Sequence, residues 1–256
     1  MRFDIVTLFP EFFAPLLTSG VTRRAYESRS VDVRLWNPRH FADGNYRRVD
    51  DRPFGGGPGM VMIGEPLARC LERVQIERRV EGDARASVVL FSPVGQMLTH
   101  AVVQSWSDST GAVLVCGRYE GLDQRFIDRY VDHQISLGDF VLSGGEIAAM
   151  ALLDSVARLQ PGVLNDEGSH QFDSFNPALN GLLDCPHYTR PDTWGDASVP
   201  PVLTSGNHGL IQQWRREQSL QLTARKRPDL LDRARSMGEL TWRDEAFLKT
   251  LTENSP

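Results

Sequence analysis

Residues Val113–Glu146, VLVCGRYEGLDQRFIDRYVDHQISLGDFVLSGGE, contain two short strands that each run into a glycine-rich loop. The apolar run Val113–Cys116 predicts a buried strand, which ends in GRYEG at residues 117–121. A second predicted strand, His133–Ser136, runs into GDFVLSGGE at residues 138–146. Loops that follow successive strands of an open parallel sheet lie together at its carboxyl edge, where ligands bind. The stretch therefore predicts the ligand site of the chain.

A third loop of the same kind, Ser92-Pro93, follows the strand predicted at residues 87–91. Together with Gly117 and Gly138, it offers main-chain donors and acceptors and few side chains, which suits a flat adenine and its ribose. A single glycine of this kind is an ordinary turn residue. Three successive loops, however, favour a ligand pocket.

The rest of residues 1–162 alternates predicted strands and helices. Strands are predicted at residues 3–9 and 31–36, and helices at residues 10–26, 65–79, 97–106, 122–130 and 146–159. This alternation is typical of an α/β fold with a mostly parallel, doubly wound sheet. The first strand does not end in GxGxxG, which disfavours a dinucleotide site. The segment GGGPG at residues 55–59 lacks the ending of a phosphate loop and is interpreted as a flexible loop.

The composition narrows the class of protein. Of 256 residues, 41% are hydrophobic, which is enough for a sizeable core. The net charge of −5 gives no general attraction to nucleic acid or an anionic membrane, but it allows a local basic patch. Three widely spaced cysteines without a CxxC pair argue against disulfides and for a reducing cytoplasm. We expect no signal peptide and no membrane span, since no apolar run approaches ~18 residues.

The C-terminal third differs in pattern and in charge. Residues 163–209 are rich in Pro, Gly, Asn and Asp and have little periodicity, whereas helices are predicted at residues 211–226, 229–237 and 242–252. Residues 207–235 hold seven Lys or Arg and three acids, inside a chain of net negative charge. A solvated helix face and a contact with a polyanion explain this excess about equally well.

Several single side chains are candidates with an ordinary structural explanation. Asp123 is expected to cap the helix that follows it, and Ser143 and Glu146 match a capping box. Arg158 ends a helix, where the dipole favours a cation, and Asp173 is of a type common in turns. Glu120 stays open as a catalytic candidate. The six histidines have no metal-ligand spacing, so no protein-built metal site is predicted.

The sequence as a whole resembles the bacterial tRNA (guanine-N(1))-methyltransferases of the SPOUT superclass. The matching segments run in order along the chain: PFGGGPGM (53–60), FSPVG (91–95), VCGRYEG (115–121), ISLGDFVLSGGE (135–146), PGVL (161–164), DSF (173–175), GLLDCPHYTRP (181–191), VPPVL (199–203) and SGNH (205–208).

The resemblance implies an architecture that periodicity cannot reveal. Residues 1–162 would form a knotted α/β cofactor-binding domain with a deep trefoil knot at its C-terminal end. Residues 163–180 would be a flexible linker, and residues 181–256 a small all-α tRNA-binding domain. The resemblance also implies a cytoplasmic homodimer whose active sites are shared between subunits.

The resemblance implies S-adenosylmethionine as cofactor, bound in a bent form by the main chain of Gly117 and of residues 137–142. We expect the cofactor to contact Ser92, Pro93, Gly117, Tyr119, Glu120, Gly121, Ile135, Ser136, Leu137, Gly138, Asp139, Phe140, Val141, Leu142, Gly144 and Gly145. Two residues depart from the family pattern, because Phe54 and Phe140 stand where tyrosine is expected. Residues 176–180 look like a short insertion.

The resemblance also implies the chemistry. The substrate would be the guanosine at tRNA position 37, 3′ of the anticodon, preceded by another guanosine. Asp173 matches the general base, Arg158 the arginine that steadies the guanine oxygen, and Glu120 a glutamate near the methyl donor, where a requirement for Mg²⁺ is thought to act. The residues expected to contact tRNA are His187, Arg190, His208, Trp214 and Arg215.

Three other functions remain as alternatives. A ribose 2′-O-methyltransferase of the same superclass would not need an aspartate in the linker. A non-catalytic RNA-binding protein would keep the fold and the basic helices without binding S-adenosylmethionine. A small-molecule α/β enzyme with an incidental helical tail would not need the residues beyond Val202.

Overall fold

The computed structural model describes residues 1–165 and 168–253. The chain divides into two compact units, Met1–Asn165 and Asp166–Pro256. Within the described residues, no helix is both long enough and apolar enough to cross a membrane.

The first unit is built on a five-stranded parallel sheet. The strands of this unit are β1 (Arg2–Val6), β2 (Asp32–Trp36), β3 (Asp50–Asp51), β4 (Val61–Met62), β5 (Val88–Met97), β6 (Val113–Val115) and β7 (His133–Ser136). The sheet has the order β2-β1-β6-β5-β7, while β3 and β4 form a separate two-residue antiparallel pair. The predicted α/β class with a mostly parallel sheet is confirmed.

Helices cover both faces of this sheet. They are α1 (Ala14–Thr18), α2 (Arg23–Glu27), α3 (Gly64–Val80), α4 (His100–Ser107), α5 (Gln124–Tyr130) and α6 (Glu146–Ala157). One apolar core joins the sheet to α4 and α6 through residues such as Leu114 and Leu152. The other joins it to α3 and α5 through residues such as Leu67 and Phe126. Burial on both faces explains why β6 is an uninterrupted apolar run.

The structure corrects the prediction of one helix over residues 10–26. A 3-10 turn, Pro10–Phe13, is followed by α1, which ends at Thr18, and by α2, which begins at Arg23. Ser19 is extended and Gly20 has a φ of +75°, a left-handed conformation that glycine adopts without strain. The chain therefore turns between the two short helices.

β5 also differs from its predicted end at Phe91, because it continues to Met97. Phe91 and Gln96 both pair with Ile135 of β7, so residues 92–95 loop out of the strand and return to it. A Cβ at Gly95 would overlap the main-chain nitrogen of Ile135, so glycine is required where the loop rejoins β7. The following helix, predicted from Met97, begins only after its cap Thr99.

A buried ionic network joins β1 and β2 to α3. The apolar face of α3 carries Leu67, Leu71 and Val74, and the next position on that face is Arg78. Its Nε lies 2.7 Å from Asp4 Oδ2 on β1. Arg2 Nη2 and Trp36 Nε1 each lie 2.9 Å from Asp4 Oδ1. These four residues, Asp4, Arg78, Arg2 and Trp36, are called the Asp4 cluster.

The second unit is mainly helical. Its elements are β8 (Thr193–Trp194), β9 (Ala197–Ser198), α7 (Pro201–Thr204), α8 (His208–Lys226), α9 (Pro228–Ser236) and α10 (Trp242–Glu253). Leu182, Leu220 and Leu231 belong to its apolar core. The main-chain nitrogen of Leu183 donates to Thr223 Oγ1 at 3.1 Å, which ties the segment before β8 to α8.

Candidate active site

One cavity of about 240 Å³ lies at the carboxyl ends of β5, β6 and β7. The structure brings together here the three loops that the sequence singled out. Of the residues expected to contact a cofactor, all but Asp139 line this cavity: Ser92, Pro93, Gly117, Tyr119, Glu120, Gly121, Ile135, Ser136, Leu137, Gly138, Phe140, Val141, Leu142, Gly144 and Gly145.

The loop after β7 packs directly on the loop after β6. The main-chain nitrogen of Gly145 donates to Gly117 O at 3.0 Å, and Arg118 and Gly144 form an isolated antiparallel bridge. A Cβ at Gly145 would lie 2.8 Å from Cys116 Cα. The glycines of this loop therefore permit a close main-chain approach that a larger residue would prevent.

Glu120 lies in a strained part of the cavity wall. Tyr119, which precedes it, has a φ of +62°, a conformation uncommon for a residue other than glycine. The main-chain nitrogen of Glu120 donates to Met60 O at 2.9 Å. A Cβ at Gly59 would overlap the Glu120 carboxylate. The segment GGGPG, interpreted from sequence as a flexible loop, thus ends in a glycine packed against the one carboxylate among the cavity-lining residues.

The structure contradicts the capping box predicted for Ser143 and Glu146. α6 begins at Glu146 itself, with Gly145 as N-cap and no side-chain cap. A glutamate completes a capping box from the third helical position, and here it occupies the first. The Glu146 side chain instead points inward and is 1% exposed.

Glu146 is held by two partners inside the protein. Thr7 Oγ1 donates to Glu146 Oε1 at 2.8 Å. Arg118 Nε lies 2.9 Å from Glu146 Oε2 as an ion pair without hydrogen-bond geometry. We call Thr7, Arg118 and Glu146 the Glu146 cluster. Sequence reasoning missed it, because Thr7 and Glu146 lie 139 positions apart and share no local motif.

Cys116 lies beside this cluster, and its environment makes it unreactive. Burial raises the pKa of its thiol well above the usual value, and the Glu146 carboxylate raises it further. The thiolate is the nucleophilic form of cysteine. Cys116 is therefore assigned to the core and not to catalysis.

The two remaining predicted catalytic residues belong to different units. Arg158 is the C-cap of α6 in the first unit and is half-buried, outside the cavity lining. Asp173 follows the 3-10 turn Ser169–Phe172 in the second unit and is also half-buried. Its main-chain nitrogen donates to His170 O at 3.3 Å, and its main-chain oxygen accepts from Asn176 N at 3.2 Å.

The residues predicted to contact tRNA lie in the second unit. His187, Arg190, His208 and Arg215 are exposed, and Trp214 is half-buried with its ring edge-on to Tyr188. His187 Nε2 lies 2.9 Å from Asp184 Oδ2. Three of the basic residues counted in the sequence are paired with acids: Arg216 with Asp244, Arg227 with Asp229 and Arg235 with Glu245.

Open parallel α/β sheets bind their ligands at the carboxyl ends of the strands, and the cavity of this protein lies there. The fold and the site are therefore those of a ligand-binding α/β protein. A model of the family described as tRNA (Guanine-1)-methyltransferase TrmD matches residues 1–233. The chain belongs to this family, and the resemblance found in its motifs is confirmed.

Relatives that are similar over their full length support this assignment. The tRNA (guanine-N(1)-)-methyltransferase of Polaromonas sp. (strain JS666 / ATCC BAA-500) is 70% identical over 254 residues, 99% of this chain and 98% of that protein. The one from Albidiferax ferrireducens is 71% identical over 248 residues, 97% of this chain and 98% of that protein. The one from Bordetella pertussis is 53% identical over 251 residues, 98% of each chain.

Proposed function

We propose that this chain transfers the methyl group of S-adenosylmethionine to N1 of guanosine at tRNA position 37, 3′ of the anticodon. The observation that carries the proposal is the cavity formed by the loops after β5, β6 and β7, in a chain of the tRNA (Guanine-1)-methyltransferase TrmD family. We expect the reaction to take place in the cytoplasm.

The chain would be organised around this cavity. We propose residues 1–162 as the cofactor-binding domain with a deep trefoil knot, residues 163–180 as a linker and residues 181–256 as the tRNA-binding domain. The knot is proposed from the family resemblance, and the close packing of residues 144 and 145 on residues 116–118 places the two loops of the cavity against each other.

We further propose a homodimer with shared active sites. On the cavity wall, the apolar side chains of Phe140 and Val141 are 55% and 86% exposed. A second copy of the chain would remove such surface from water.

When bound, S-adenosylmethionine supplies a methyl group that its sulfonium has already activated. Gly117 and residues 137–142 would hold it mainly through main-chain groups. Gly138 has a φ of +154°, which residues with a Cβ rarely adopt, so the main chain of this loop is uncovered by a side chain at this position.

The described residues do not fit a protein-built Mg²⁺ site. They include no group of three or more His, Cys, Asp or Glu that could hold a metal ion, and Glu120 is the one carboxylate of the cavity lining. Mg²⁺ usually combines one or two carboxylates with phosphates of a substrate. We therefore derive no step through Mg²⁺.

The remaining roles follow from the chemistry of guanine. N1 carries a proton at neutral pH, and this proton must leave as the methyl group arrives. We assign its removal to Asp173, a role typically worth ~10²–10⁴-fold in rate. Negative charge then grows on the neighbouring oxygen, and we assign its stabilisation to the Arg158 guanidinium. We assign Glu120 a place on the cavity wall near the methyl donor, as the family resemblance implies.

We propose that the second unit binds tRNA through His187, Arg190, His208, Trp214 and Arg215. The exposure of Arg190 and Arg215 supports this, because both guanidinium groups are accessible to the phosphates of a bound tRNA. Arg216, Arg227 and Arg235 would contribute less, since each is held by a carboxylate of this unit.

Methyl transfer by Asp173→Asn tests the proposal. We expect the rate of transfer to tRNA to fall by ~10²–10⁴-fold, because the amide cannot take the proton. Asp232→Asn, in the exposed part of α9, is the matched control and should retain the wild-type rate. Nuclease digestion and mass spectrometry of the methylated tRNA identify the nucleoside and its position.

Two of the three alternative functions predict a different result in these measurements. An undiminished rate with Asp173→Asn would exclude the assigned base, and a ribose-methylated nucleoside would indicate the 2′-O-methyltransferase. Absence of S-adenosylmethionine binding to the wild-type protein, measured by calorimetry, would indicate a non-catalytic RNA-binding protein.

A further inference from the structure

The Glu146 cluster joins three separate parts of the first unit. Thr7 directly follows β1, Arg118 lies in the loop after β6, and Glu146 is the first residue of α6. Thr7 and Glu146 are each 1% exposed, and the Arg118 side chain is 16% exposed on the wall of the cavity. One buried carboxylate thus links the exits of two strands to the start of a helix.

Stability alone does not explain why an ion pair occupies this place. Apolar residues of similar volume often stabilise a core as well as a buried ion pair does. The pair is also imperfect, because Arg118 Nε and Glu146 Oε2 approach to 2.9 Å without hydrogen-bond geometry. Its position on the cavity wall is what distinguishes it.

Arg118 connects the two glycine-rich loops of the cavity. Its Nη1 donates to Ser143 O at 3.3 Å, and its main chain bridges to Gly144. A Cβ at Gly144 would overlap Arg118 Nε and would lie 2.6 Å from Glu146 Oε2. The loop before α6 therefore holds a glycine at the point where the ion pair needs space.

A third anchor fixes the plane of the guanidinium. Arg118 Cζ lies 4.4 Å from the ring centroid of Phe9 and 5.5 Å from that of Phe12. The main-chain nitrogen of Phe9 donates to Thr7 Oγ1 at 3.0 Å, so the segment that holds these rings is tied to the same cluster. A guanidinium at these distances gains cation–π attraction from the rings, and its planar fork is pre-organised in a way that a lysine ammonium is not.

We propose that Arg118, Glu146 and Thr7 are positioning residues that hold the two cavity loops at the spacing that S-adenosylmethionine requires. This inference rests on the proposed function. None of the three is assigned a contact with the reacting atoms. A loop that is already ordered binds its ligand at a smaller cost in conformational entropy.

Two conservative variants test the inference in the full-length protein. Glu146→Gln keeps the shape of the side chain and removes its charge, and Arg118→Lys keeps the charge and removes the planar fork. We expect calorimetry to give about tenfold weaker binding of S-adenosylmethionine for each. The double variant should bind S-adenosylmethionine almost as well as the single variant that binds it more weakly, because the two residues act as one pair.

Steady-state kinetics should separate this role from a general loss of structure. We expect the KM for S-adenosylmethionine to rise about tenfold in both variants, while the KM for tRNA and the kcat at saturation stay within about twofold. Thr7→Val should weaken binding in the same direction, and Thr7→Ser, which keeps the donor, should restore it. Thr7→Val also provides the test if Glu146→Gln does not fold.

The Asp4 cluster supplies the matched control, because Asp4 is an equally buried carboxylate of the same unit. Asp4→Asn should lower the urea midpoint and leave the affinity for S-adenosylmethionine unchanged. The inference is overturned if both cavity variants bind within about twofold of the wild type, or if Asp4→Asn weakens binding as much as they do. A wild-type protein that fails to bind would refute the proposed function itself.

Discussion

The first unit carries two buried arginine–carboxylate clusters, one between β1, β2 and α3 and one at the cavity, and the two are built differently. In the Asp4 cluster, a carboxylate with no exposed surface meets two guanidinium groups and an indole N–H. In the Glu146 cluster, the carboxylate meets one guanidinium, which reaches the cavity, and one hydroxyl. In the first network, Asp4 and both guanidinium groups are buried, and Arg2 also pairs with the partly exposed Glu81 and Asp83. The second network ends on the cavity wall, where a ligand would lie.

This difference separates two uses of the same chemistry. A fully satisfied polar network makes a core rigid and specifies one packing. A network that ends on a cavity wall can hold loops in place for a ligand, at a cost in stability. The position of a buried ion pair relative to the strand ends therefore says more about its role than its burial does.

The largest effect is expected from Asp4→Ala. Removing this carboxylate leaves Arg78 and Arg2, both nearly inaccessible to solvent, without their shared partner. Breaking a buried pair from one side costs about 3–5 kcal/mol. Urea denaturation followed by circular dichroism measures the loss of free energy of unfolding.

Asp32→Ala is the control for this prediction. Asp32 pairs with Arg34 at 3.0 Å, but both side chains are about one-third exposed, at 32% and 31%. Pairs of this kind contribute about 0–1 kcal/mol. Equal losses of the free energy of unfolding in the two variants would mean that the burial of Asp4 does not add to the stability that its ion pairs provide.

A smaller effect on stability, joined to an effect on binding, is expected from Gly144→Ala. The new Cβ would overlap Arg118 Nε and push the guanidinium away from Glu146. Overpacking of this kind costs about 2 kcal/mol. The affinity for S-adenosylmethionine, measured by calorimetry, should fall together with the stability.

Gly209→Ala is the matched substitution away from the cavity. Gly209 lies in α8, and a Cβ there would meet its nearest atom at 3.5 Å, an ordinary contact. Alanine is the better helix former, so this variant should be neutral or more stable by up to ~1 kcal/mol. Unchanged cofactor affinity in Gly144→Ala would contradict the role given to the Glu146 cluster.

The sequence predicted the elements whose signals are local. The apolar run of β6, the short strand β7 and the glycine-rich loops after them followed from periodicity and turn residues, and the structure has them. Asp123 caps α5 through the main-chain nitrogen of Arg125, as its position indicated. The prediction of one helix over residues 10–26 was wrong, because the sequence shows that Gly20 is a glycine but not that it adopts a left-handed conformation.

The contacts that build the cavity could not be predicted in this way. The packing of Gly59 on Glu120 and the bond from Thr7 to Glu146 join segments far apart in sequence, and they depend on which strands become neighbours. The capping box at Ser143 failed for the same reason, since a local motif competed with a buried partner 139 positions away. The roles of Arg158 and Asp173 came from the family resemblance alone.

The smallest loss of free energy of unfolding, about 1 kcal/mol at neutral pH, is expected from Asp244→Asn in the second unit. Burial raises the pKa of this carboxyl, but hydrogen bonds from Arg216 and Thr241 outweigh it and bring the pKa below its usual value. A carboxyl with a lowered pKa in the folded state contributes stability above its unfolded pKa of about 3.9. That contribution is lost as the pH falls through the folded pKa.

The difference in the free energy of unfolding between the wild type and Asp244→Asn should therefore become smaller at acid pH. Urea denaturation at pH 7 and near pH 3 measures it, with Asp232→Asn, an exposed residue of α9, as the control that should show no gap at either pH. Affinity for S-adenosylmethionine should not change, because Asp244 belongs to the second unit and not to the cavity lining. A gap that is the same at both pH values would mean that the Arg216–Asp244 pair acts by packing and not by charge. The Arg216–Asp244 pair would then differ from the Glu146 cluster in kind as well as in position.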